Sequence, residues 1–499
     1  MNLDNRAKPK VAAPNFTRRT ILLTALLASL SNSSVAKVLG LQLPLVSTLL
    51  GRPNKDSISV SLLSSENVNA KIVFGLNKKR LNRSTNTLKV KANVPKDFLL
   101  EGIEPNVKYY YRVEYLTTNT TDFKAGQIHS FNSFKSVDRS FSFTLQGDTH
   151  PERVGKMFNS ELYEQTLANI ASQNPDFHFL IGDDFSIDPL IQRGSANREN
   201  VEKIYLKHRR LLEKVGSSSP LFLINGNHEQ AAAYLLDGTQ SSPAILAGHS
   251  RLKFFPLPAP DDFYTGNKFP IPSLGLPRDY YAWTWGNALF VTLDPYWHSK
   301  SPVDNVASSG SPKKEKGIKD SNTGNENGRN LWEIGIGDEQ YFWLKETLEK
   351  SDAKFKFVLA HHVMGTGRGG IELSYNYEWG GNDPKGLTTF AKERPNWDLP
   401  IHDLMVKNQV TIFFQGHDHI FVKQERDGII YQSLPNPADD TFSMFNENAY
   451  KSGIKAPNSG HLRVKVNSDK VLVEYFLSAR RQDTMRRNLE VAYQYEISN

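Results

Sequence analysis

The 499-residue chain contains no cysteine. This absence excludes disulfide bonds, a thiolate nucleophile and any zinc site built from cysteine. Long apolar runs are also missing. The apolar run at residues 21–30 is shorter than the roughly 20 residues that a membrane-spanning helix needs, and no later segment is long and apolar enough. We therefore expect no stable membrane span.

A strong charge of one sign is missing as well. The chain carries a net charge of +7, of which residues 1–36 supply +4, so the remaining residues carry only +3. This weak balance gives no reason to expect a nucleic-acid or membrane partner. Because cysteine is absent, the 13 histidines are the main borderline metal ligands of the chain, and their positions become informative.

The N-terminus has the pattern of an export signal. Arg18 and Arg19 precede the apolar run at 21–30, and the Ser-Val-Ala sequence at 34–36 resembles a cleavage site for a signal peptidase. The paired arginines are typical of the twin-arginine route, which exports folded proteins. The pattern predicts that the mature chain begins at Lys37.

We therefore predict a signal peptide at residues 1–36 and a periplasmic or secreted protein. Two alternatives remain open at this stage. One alternative to a twin-arginine signal is an ordinary secretory signal that happens to contain two arginines. The other is an uncleaved anchor, since apolar residues resume at 39–50.

Short alternating patterns of apolar and polar residues fill the region 57–136, after a predicted linker at 37–56. Such patterns predict strands with two unlike faces, and their spacing is typical of a small antiparallel sandwich. The predicted strands include residues 58–62, 70–74, 87–90 and 109–115. We place a second domain at 137–499.

From Phe141 onward the pattern changes to buried strands that finish in polar residues. The first, at 141–146, ends in Gly-Asp; four later strands end in Gly-Asp, Gly-Asn, His-His and Gly-His. This arrangement predicts a layered α/β core with its site at the strand ends. Amphipathic helices are predicted at 161–173 and 338–348. Two stretches, 235–277 and 299–330, interrupt the core pattern, and the second is predicted to be a mobile surface insertion.

Five polar clusters lie at these strand ends: Asp148-x-His150, Gly182-Asp183, Gly226-Asn227-His228-Glu229, His361-His362 and Gly416-His417-Asp418-His419. Hydrolysis of a phosphoester by two cations about 3.5–4 Å apart requires ligands that hold both ions close together. Imidazole nitrogens and a carboxylate able to bridge are suited to this task. The five clusters contain these ligand types. Glycines next to several of them allow sharp turns that direct the side chains into one cleft.

The order of these motifs resembles that of the calcineurin-like metallophosphoesterases, and the resemblance covers roughly Phe141 to Phe476. The stretch 100–111, LEGIEPNVKYYY, resembles the corner motif of fibronectin type III-like domains. Such a domain commonly precedes the catalytic domain in the purple acid phosphatase-like branch. The resemblance implies an α/β fold in which a β-sandwich is flanked by helices and follows a small all-β, immunoglobulin-like or fibronectin type III-like sandwich.

The resemblance also implies roles for individual residues. Two divalent or trivalent ions of Fe, Mn or Zn are expected, with a hydroxide bridging them that attacks phosphorus. Asp183 is expected to bridge the ions. The first site is completed by Asp148, His150 and His419, and the second by Asn227, His361 and His417. His228 is expected to bind no metal and instead to protonate the leaving oxygen or orient the substrate.

Three positions depart from the pattern of the purple enzymes or of other relatives. Ser186 stands where purple acid phosphatases carry the tyrosine that gives them their colour, and His150 is usually absent from them, so this protein is not expected to be purple. Val363 replaces the proline that often follows the His-His pair. His362 is predicted to face the substrate or to support a metal ligand, and it is not predicted to be a ligand itself. Arg368 is predicted to bind phosphate oxygens, although it also fits an exposed loop arginine.

Hydrolysis of a small-molecule phosphomonoester is the function that the resemblance favours. The alternative is a phosphodiesterase acting on cyclic nucleotides, nucleic-acid ends or phospholipid head groups, because the metal motifs serve both reactions. A non-catalytic relic is a third possibility, and the complete ligand set argues against it.

Overall fold

The computed structural model describes residues 45–118, 120–303, 330–363, 367–383 and 385–498. The predicted signal peptide at 1–36 and most of the predicted insertion at 299–330 lie outside these residues. The described residues from Val46 onward belong to one compact unit. Within the described part of the chain, none of the helices combines the length and the apolarity needed to cross a bilayer.

The N-terminal part is built from strands, as the alternating pattern predicts. In chain order they are β1 (Val46–Gly51), β2 (Ser57–Ser64), β3 (Val68–Gly75), β4 (Arg83–Ser84), β5 (Leu88–Val90), β6 (Lys96–Glu101), β7 (Lys108–Thr117), β8 (Lys124–Ala125) and β9 (His129–Asn132). One sheet has the order β1-β2-β6; the other has the order β4-β3-β7-β8, with β5 also pairing with β3 and β9 with β7. All of these pairs are antiparallel, which confirms the all-β domain.

Strand β1 lies inside the stretch 37–56 that the sequence predicts to be a linker. It pairs with β2 over its whole length, and Leu49 and Leu50 are buried. Burial of these two side chains favours an ordered strand over an extended linker. The sandwich therefore begins before residue 57, while the other domain boundaries stay predictions.

The corner motif at 100–111 forms a tyrosine corner. The backbone N–H of Glu104 donates to the hydroxyl of Tyr109 over 3.1 Å. The ring of Tyr109 is buried and stacks on Phe131 with 5.6 Å between ring centroids. A buried tyrosine whose hydroxyl binds the backbone a few residues upstream is a hallmark of immunoglobulin-like sandwiches.

Two larger sheets form the second domain. Their strands in chain order are β10 (Phe141–Gln146), β11 (Phe177–Leu180), β12 (Leu221–Leu223), β13 (Thr265–Gly266), β14 (Tyr281–Trp285), β15 (Ala288–Thr292), β16 (Phe355–Leu359), β17 (Ile412–Gln415), β18 (Phe421–Arg426), β19 (Ile429–Ser433), β20 (Ile454–Ala456), β21 (Gly460–Val466), β22 (Lys470–Leu477) and β23 (Val491–Ser498). The six-stranded sheet has the order β12-β11-β10-β21-β22-β23, and the eight-stranded sheet has the order β13-β14-β15-β16-β17-β19-β18-β20.

Aromatic side chains fill the space between the two sheets. Phe143 of β10 lies 5.1 Å from Phe290 of β15 and 5.5 Å from Phe357 of β16, measured between ring centroids. All three rings are buried. Side chains alternate between the two faces of a strand, so the opposite face of each sheet must be covered by other elements.

Helices cover those outer faces. They are α1 (Ser160–Ser172), α2 (Asp188–Gln192), α3 (Arg198–Gly216), α4 (Pro243–Phe254), α5 (Gly337–Glu349), α6 (Tyr377–Gly380), α7 (Phe390–Glu393) and α8 (Ile401–Lys407). Helices α1 and α5 confirm the two helices predicted from periodicity. A second apolar core forms between the helices and the sheets. The fold is therefore the predicted β-sandwich flanked by helices.

The stretch 235–277, predicted to interrupt the core, contains helix α4. The N–H of Ile245 donates to the hydroxyl of Ser242 at the N-cap over 3.3 Å, and Pro243 occupies the first turn. Both residues favour a helix start. Most residues of α4 are buried, so this stretch adds to the core.

The N-terminal sandwich docks against α3 through buried polar contacts. Arg209 of α3 is buried and donates to the carbonyl of Ser61 over 2.6 Å and to that of Phe254. The hydroxyl of Tyr111 donates to the carbonyl of Ser217 over 2.7 Å. These hydrogen bonds tie both domains into one body.

Strand direction determines where the site lies. β10, β11 and β12 run parallel to one another, and so do β15, β16 and β17. The carboxyl ends of parallel strands meet at one edge of a sheet, where open α/β sheets bind ligands. All five polar clusters follow strands of these two sets.

Candidate metal centre

The metal-site residues predicted from the sequence lie directly after the parallel strands. Asp148 follows β10, Asp183 follows β11, Asn227 follows β12, His361 follows β16 and His417 follows β17. Almost every residue of these strands is buried, so packing on both faces fixes the positions of the residues that follow. The strand ends thus bring together side chains that are far apart in the sequence.

Several of these residues have a strained backbone. The φ angles of Asp148, His150, Asp183, His417 and His419 are 60°, 48°, 60°, 68° and 53°. L-residues rarely adopt this left-handed region, and each costs of order 1–3 kcal/mol unless the surroundings enforce it. Such strain concentrates at functional sites.

The glycines in the clusters permit close packing of the loops. A Cβ atom on Gly416 would lie 2.6 Å from Oδ2 of Asp148, and one on Gly182 would lie 2.6 Å from the backbone nitrogen of Gly226. Real Cβ contacts are never this short. A side chain at either position would therefore push the loops apart and separate the polar side chains.

Four predicted ligands of the first site form one group: Asp148, His150, Asp183 and His419. Their ligand atoms all lie within 4.8 Å of one another, and all four side chains are buried. Nε2 of His150 lies 3.0 Å from Nε2 of His419 and 3.5 Å from Oδ2 of Asp183. Nε2 of His419 lies 3.3 Å from Oδ1 of Asp148.

A second group shares Asp183 with the first. The ligand atoms of Asp183, His361 and His417 also lie within 4.8 Å of one another. Nε2 of His361 is 3.2 Å from Oδ2 of Asp183, and Oδ1 of Asn227 is 3.1 Å from Nδ1 of His417. The structure thus brings all seven predicted ligands into one buried cluster.

The electrostatics of the cluster fit a bound cation. Burial lowers the pKa of His150 and of His417 well below the usual range, and it lowers the pKa of His419 as well. These rings are therefore neutral near pH 7 and offer ring-nitrogen lone pairs, which metal ligation requires. Two neutral imidazole nitrogens that face each other at 3.0 Å are arranged to share a cation.

His361 differs from the other three rings. Burial disfavours its charged form, but the nearby Asp183 carboxylate outweighs burial and raises the pKa of His361 to about 10. The ring therefore holds a proton beside the carboxylate, and a bound cation would displace that proton. Nε2 of His361 is buried and faces Oδ2 of Asp183 at 3.2 Å, as expected of two ligand atoms that face one metal position.

Hydrogen bonds on the opposite ring nitrogens orient two of the histidines. Nδ1 of His150 lies 2.9 Å from Oε1 of Glu152, and Nδ1 of His361 lies 2.7 Å from the carbonyl of Ile181. Such partners fix the tautomer and the ring orientation of a metal ligand. Burial raises the pKa of Glu152 to about 7.

Glu229, the last residue of the Gly-Asn-His-Glu motif, holds two of the loops together. Its buried carboxylate accepts from four backbone N–H groups, those of Asp183, Asp184, Phe185 and Gly226, at 2.9, 2.7, 3.1 and 2.6 Å. A carboxylate with four backbone donors sets loop geometry. Glu229 therefore positions Asp183.

His228 lies beside the cluster and is held by Asp188, a residue that sequence reasoning missed. Nδ1 of His228 makes a short hydrogen bond with Oδ2 of Asp188, whose Oδ1 accepts from Gln230 over 2.5 Å. The ring centroid of His228 is 5.0 Å from that of His150. Asp188 lies five residues after Asp183 and belongs to no motif, so little in the sequence points to it.

Both predicted substrate residues contact other groups of the protein. His362 is buried, with Nδ1 3.1 Å from the hydroxyl of Tyr296 and its ring 4.8 Å from that of His417. Arg368 donates to the carbonyl of His417 and lies 3.4 Å from Oδ1 of Asp418. Arg368 therefore braces the Gly-His-Asp-His loop, and a substrate role for either residue stays a prediction.

The model of the calcineurin-like phosphoesterase family matches residues 141–421, more than half of the chain. The chain belongs to this family, and it is a metallophosphoesterase, that is, a phosphoric ester hydrolase. The matched residues contain all seven members of the buried cluster and His228. No curated protein matches the chain closely enough to count as a relative.

Two solved structures are similar in fold. One is the purple acid phosphatase PPD1 from yellow lupin (Lupinus luteus) seeds, at 14% identity, with 90% of this chain and 74% of that chain covered and a TM-score of 0.56. The other is PhoD, at 13% identity, with 91% and 90% covered and a TM-score of 0.58. At this identity the likeness concerns the fold alone.

Proposed function

We propose that this chain hydrolyses small-molecule phosphomonoesters with a pair of metal ions. One observation carries the proposal: the buried group of Asp148, His150, Asp183 and His419 and the buried group of Asp183, His361 and His417 share one carboxylate. Two ligand groups joined by a carboxylate are the arrangement that two-metal hydrolysis requires.

In this proposal Asp183 would be a ligand of both ions, which would be Fe, Mn or Zn, and the other six residues would complete the two sites. The first site contains Asp148, His150 and His419; the second contains Asn227, His361 and His417. When bound, the ions supply Lewis-acid activation of water and neutralise the charge of the phosphoryl oxygens. The protein holds the ligands, keeps the site rigid and excludes bulk water from the buried side.

His228 supplies the proton for the leaving oxygen. The hydrogen bond with Asp188 occupies Nδ1, so Nε2, which lies 3.0 Å from a guanidinium nitrogen of Arg153, would be the ring nitrogen that acts toward the substrate. A carboxylate that fixes the tautomer of a histidine is a common support for general acid–base catalysis. Ser186 stands where the purple enzymes have a tyrosine, so the bound ions should give no purple colour.

A substrate panel tests the choice between mono- and diesterase. The wild-type protein is assayed with Mn, Zn and Fe on a phosphomonoester and a phosphodiester of the same leaving group. We expect a higher kcat/KM for the monoester. A higher kcat/KM for the diester would replace the proposal with a phosphodiesterase, and failure to hydrolyse both would contradict it.

We also propose that the protein is exported by the twin-arginine route. The support is the sequence of residues 1–36, with Arg18 and Arg19 before an apolar run. N-terminal sequencing of the protein recovered outside the cytoplasm should give Lys37 as the first residue. Recovery of the full-length chain from the cytoplasm alone would contradict export.

A further inference from the structure

A tight turn follows His150 and brings an arginine back to the site. The N–H of Arg153 donates to the carbonyl of His150 over 2.9 Å, and Pro151 occupies the second position of this four-residue turn. Proline favours that position because its φ angle already fits the turn. Arg153 is thereby tied by the backbone to a residue of the metal cluster.

The guanidinium of Arg153 is held in one orientation. Its Nε lies 3.2 Å from Oε1 of Glu152, the same oxygen that contacts Nδ1 of His150, and its Nη1 lies 3.2 Å from Sδ of Met157. A planar guanidinium fixed through two of its nitrogens loses little further freedom when the third binds a ligand. The third nitrogen, Nη2, is directed toward His228.

Nη2 of Arg153 lies 3.0 Å from Nε2 of His228. Asp188 occupies the other ring nitrogen of His228, so Nε2, the atom that contacts Arg153, would be the one to meet the substrate. The arginine and the histidine therefore converge on one point beside the ring of His150. An oxygen atom of a substrate placed there would lie within reach of both side chains.

Exposure separates Arg153 from the buried cluster. Its side chain is 29% exposed, whereas the seven residues of the cluster are nearly inaccessible. A solvent-accessible cation at the border of the cluster can meet an incoming anion. By contrast, Arg368 is engaged with the carbonyl of His417 and with Asp418.

We propose that Arg153 binds the terminal oxygens of the phosphoryl group next to His228, an inference that rests on the proposed phosphoesterase function of this site. A guanidinium matches the geometry of phosphate oxygens. Its fixed positive charge also favours the dianion of a phosphomonoester over the monoanion of a diester. Arg153 is thus a substrate-binding residue that selects the monoester class.

The test uses the full mature protein and inorganic phosphate as the probe. Phosphate affinity is measured by calorimetry, and KM and kcat are measured for a mono- and a diester of one leaving group. The variants are Arg153→Gln, Arg153→Lys and, as a matched control, Arg80→Gln at an exposed arginine of the N-terminal sandwich. Metal content is measured for each variant.

We expect Arg153→Gln to retain its metal and to bind phosphate roughly 10- to 100-fold more weakly, the range for a lost hydrogen bond to a charged group. KM for the monoester should rise by a similar factor, and KM for the diester should rise less. The phosphate affinity of Arg153→Lys should lie between those of the wild type and Arg153→Gln. If Arg153→Gln does not fold, the affinity of Arg153→Lys tests the proposal. Arg80→Gln should match the wild type.

Unchanged phosphate affinity with a reduced kcat would overturn the inference, because Arg153 would then only position His228. Equal increases of KM for both esters would overturn the selectivity for monoesters. If the wild type hydrolyses neither ester but binds phosphate in an Arg153-dependent manner, the proposed function fails while the assignment of Arg153 as a phosphate-binding residue stands.

Discussion

Two buried polar regions of the molecule differ in how their groups are paired. At the interface between the sandwich and α3, Arg209 and Tyr111 donate to backbone carbonyls. In the cluster at the strand ends, side-chain ligand atoms face one another. The Nε2 atoms of His150 and His419, for example, lie 3.0 Å apart. The backbone of the cluster is also strained at five of its residues.

Hydrogen-bond pairing distinguishes buried polar groups that stabilise the fold from buried polar groups that serve a site. Buried polar groups are normally satisfied by hydrogen bonds within the fold, and at the domain interface the hydroxyl of Tyr111 and the two terminal nitrogens of Arg209 follow that rule. Like groups that face each other in a strained loop destabilise the protein unless a ligand compensates. We therefore expect changes in the cluster to affect metal binding and turnover, and changes at the interface to affect stability.

The largest expected effect comes from Asp183→Asn in the cluster. Removing the shared carboxylate should weaken retention of both metals and reduce turnover by more than the roughly 10- to 100-fold typical of changing only a partner of a metal ligand. Metal analysis and kcat on the best monoester measure the effect. Near-normal activity would refute the bridging role of Asp183.

His228→Ala should leave the metal content unchanged. Loss of a general acid typically reduces the rate by roughly 10²- to 10⁴-fold, and the loss should be larger for a poor leaving group than for a good one. Rates for two monoesters with different leaving groups provide the comparison, with each serving as the control for the other. Equal losses for both would remove the acid role of His228.

At the domain interface, Arg209→Met should reduce the free energy of unfolding by a few kcal/mol. The change leaves the carbonyls of Ser61 and Phe254 buried without their donor, at about 1–3 kcal/mol each. Metal content and kcat of the folded protein should stay the same. Lys207→Met, at an exposed position of the same helix, is the control for denaturant unfolding. A loss of metal in Arg209→Met would contradict the division between the two regions.

The smallest expected effect is that of Tyr111→Phe. It removes the hydrogen bond to the carbonyl of Ser217, which contributes about 1 kcal/mol, and it keeps the buried ring. Tyr110→Phe, on the opposite face of β7, should change the unfolding free energy less. An equal change in both variants would show that the buried hydroxyl does not stabilise the interface.

Much of the site could be predicted from the sequence because its residues follow strands directly. A strand of about five apolar residues that ends in Gly-Asp or Gly-His signals both the strand and the turn, as at Asp183 and His417. The order of the motifs then identified the ligand set. All seven predicted ligands lie in the buried cluster, although their roles in metal binding remain a proposal.

Residues that depend on tertiary contacts were harder to predict. Asp188 has no motif and becomes important only because the fold places it against His228. Arg153 carries a weak local signal, the proline of its turn, whereas Arg368 lies among the glycines of residues 365–370. The structure shows Arg368 bracing that region and Arg153 beside His228.

Strand β1 was missed for a similar reason. The stretch Val46–Gly51 is short and lies next to the proposed signal region, so its pattern fits a linker. Its pairing with β2 and the burial of Leu49 and Leu50 depend on distant parts of the chain. Helix α4 carries local capping signals in Ser242 and Pro243, but the many prolines and glycines around it masked them.

Metal analysis of the mature protein tests the central claim most directly. The chain is produced with Mn, Fe and Zn available, and its metal content is compared with that of Asp183→Asn. We predict about two ions per wild-type chain, as a two-metal site requires, and a clear loss in the variant. A wild-type protein that contains no metal under these conditions would contradict the account.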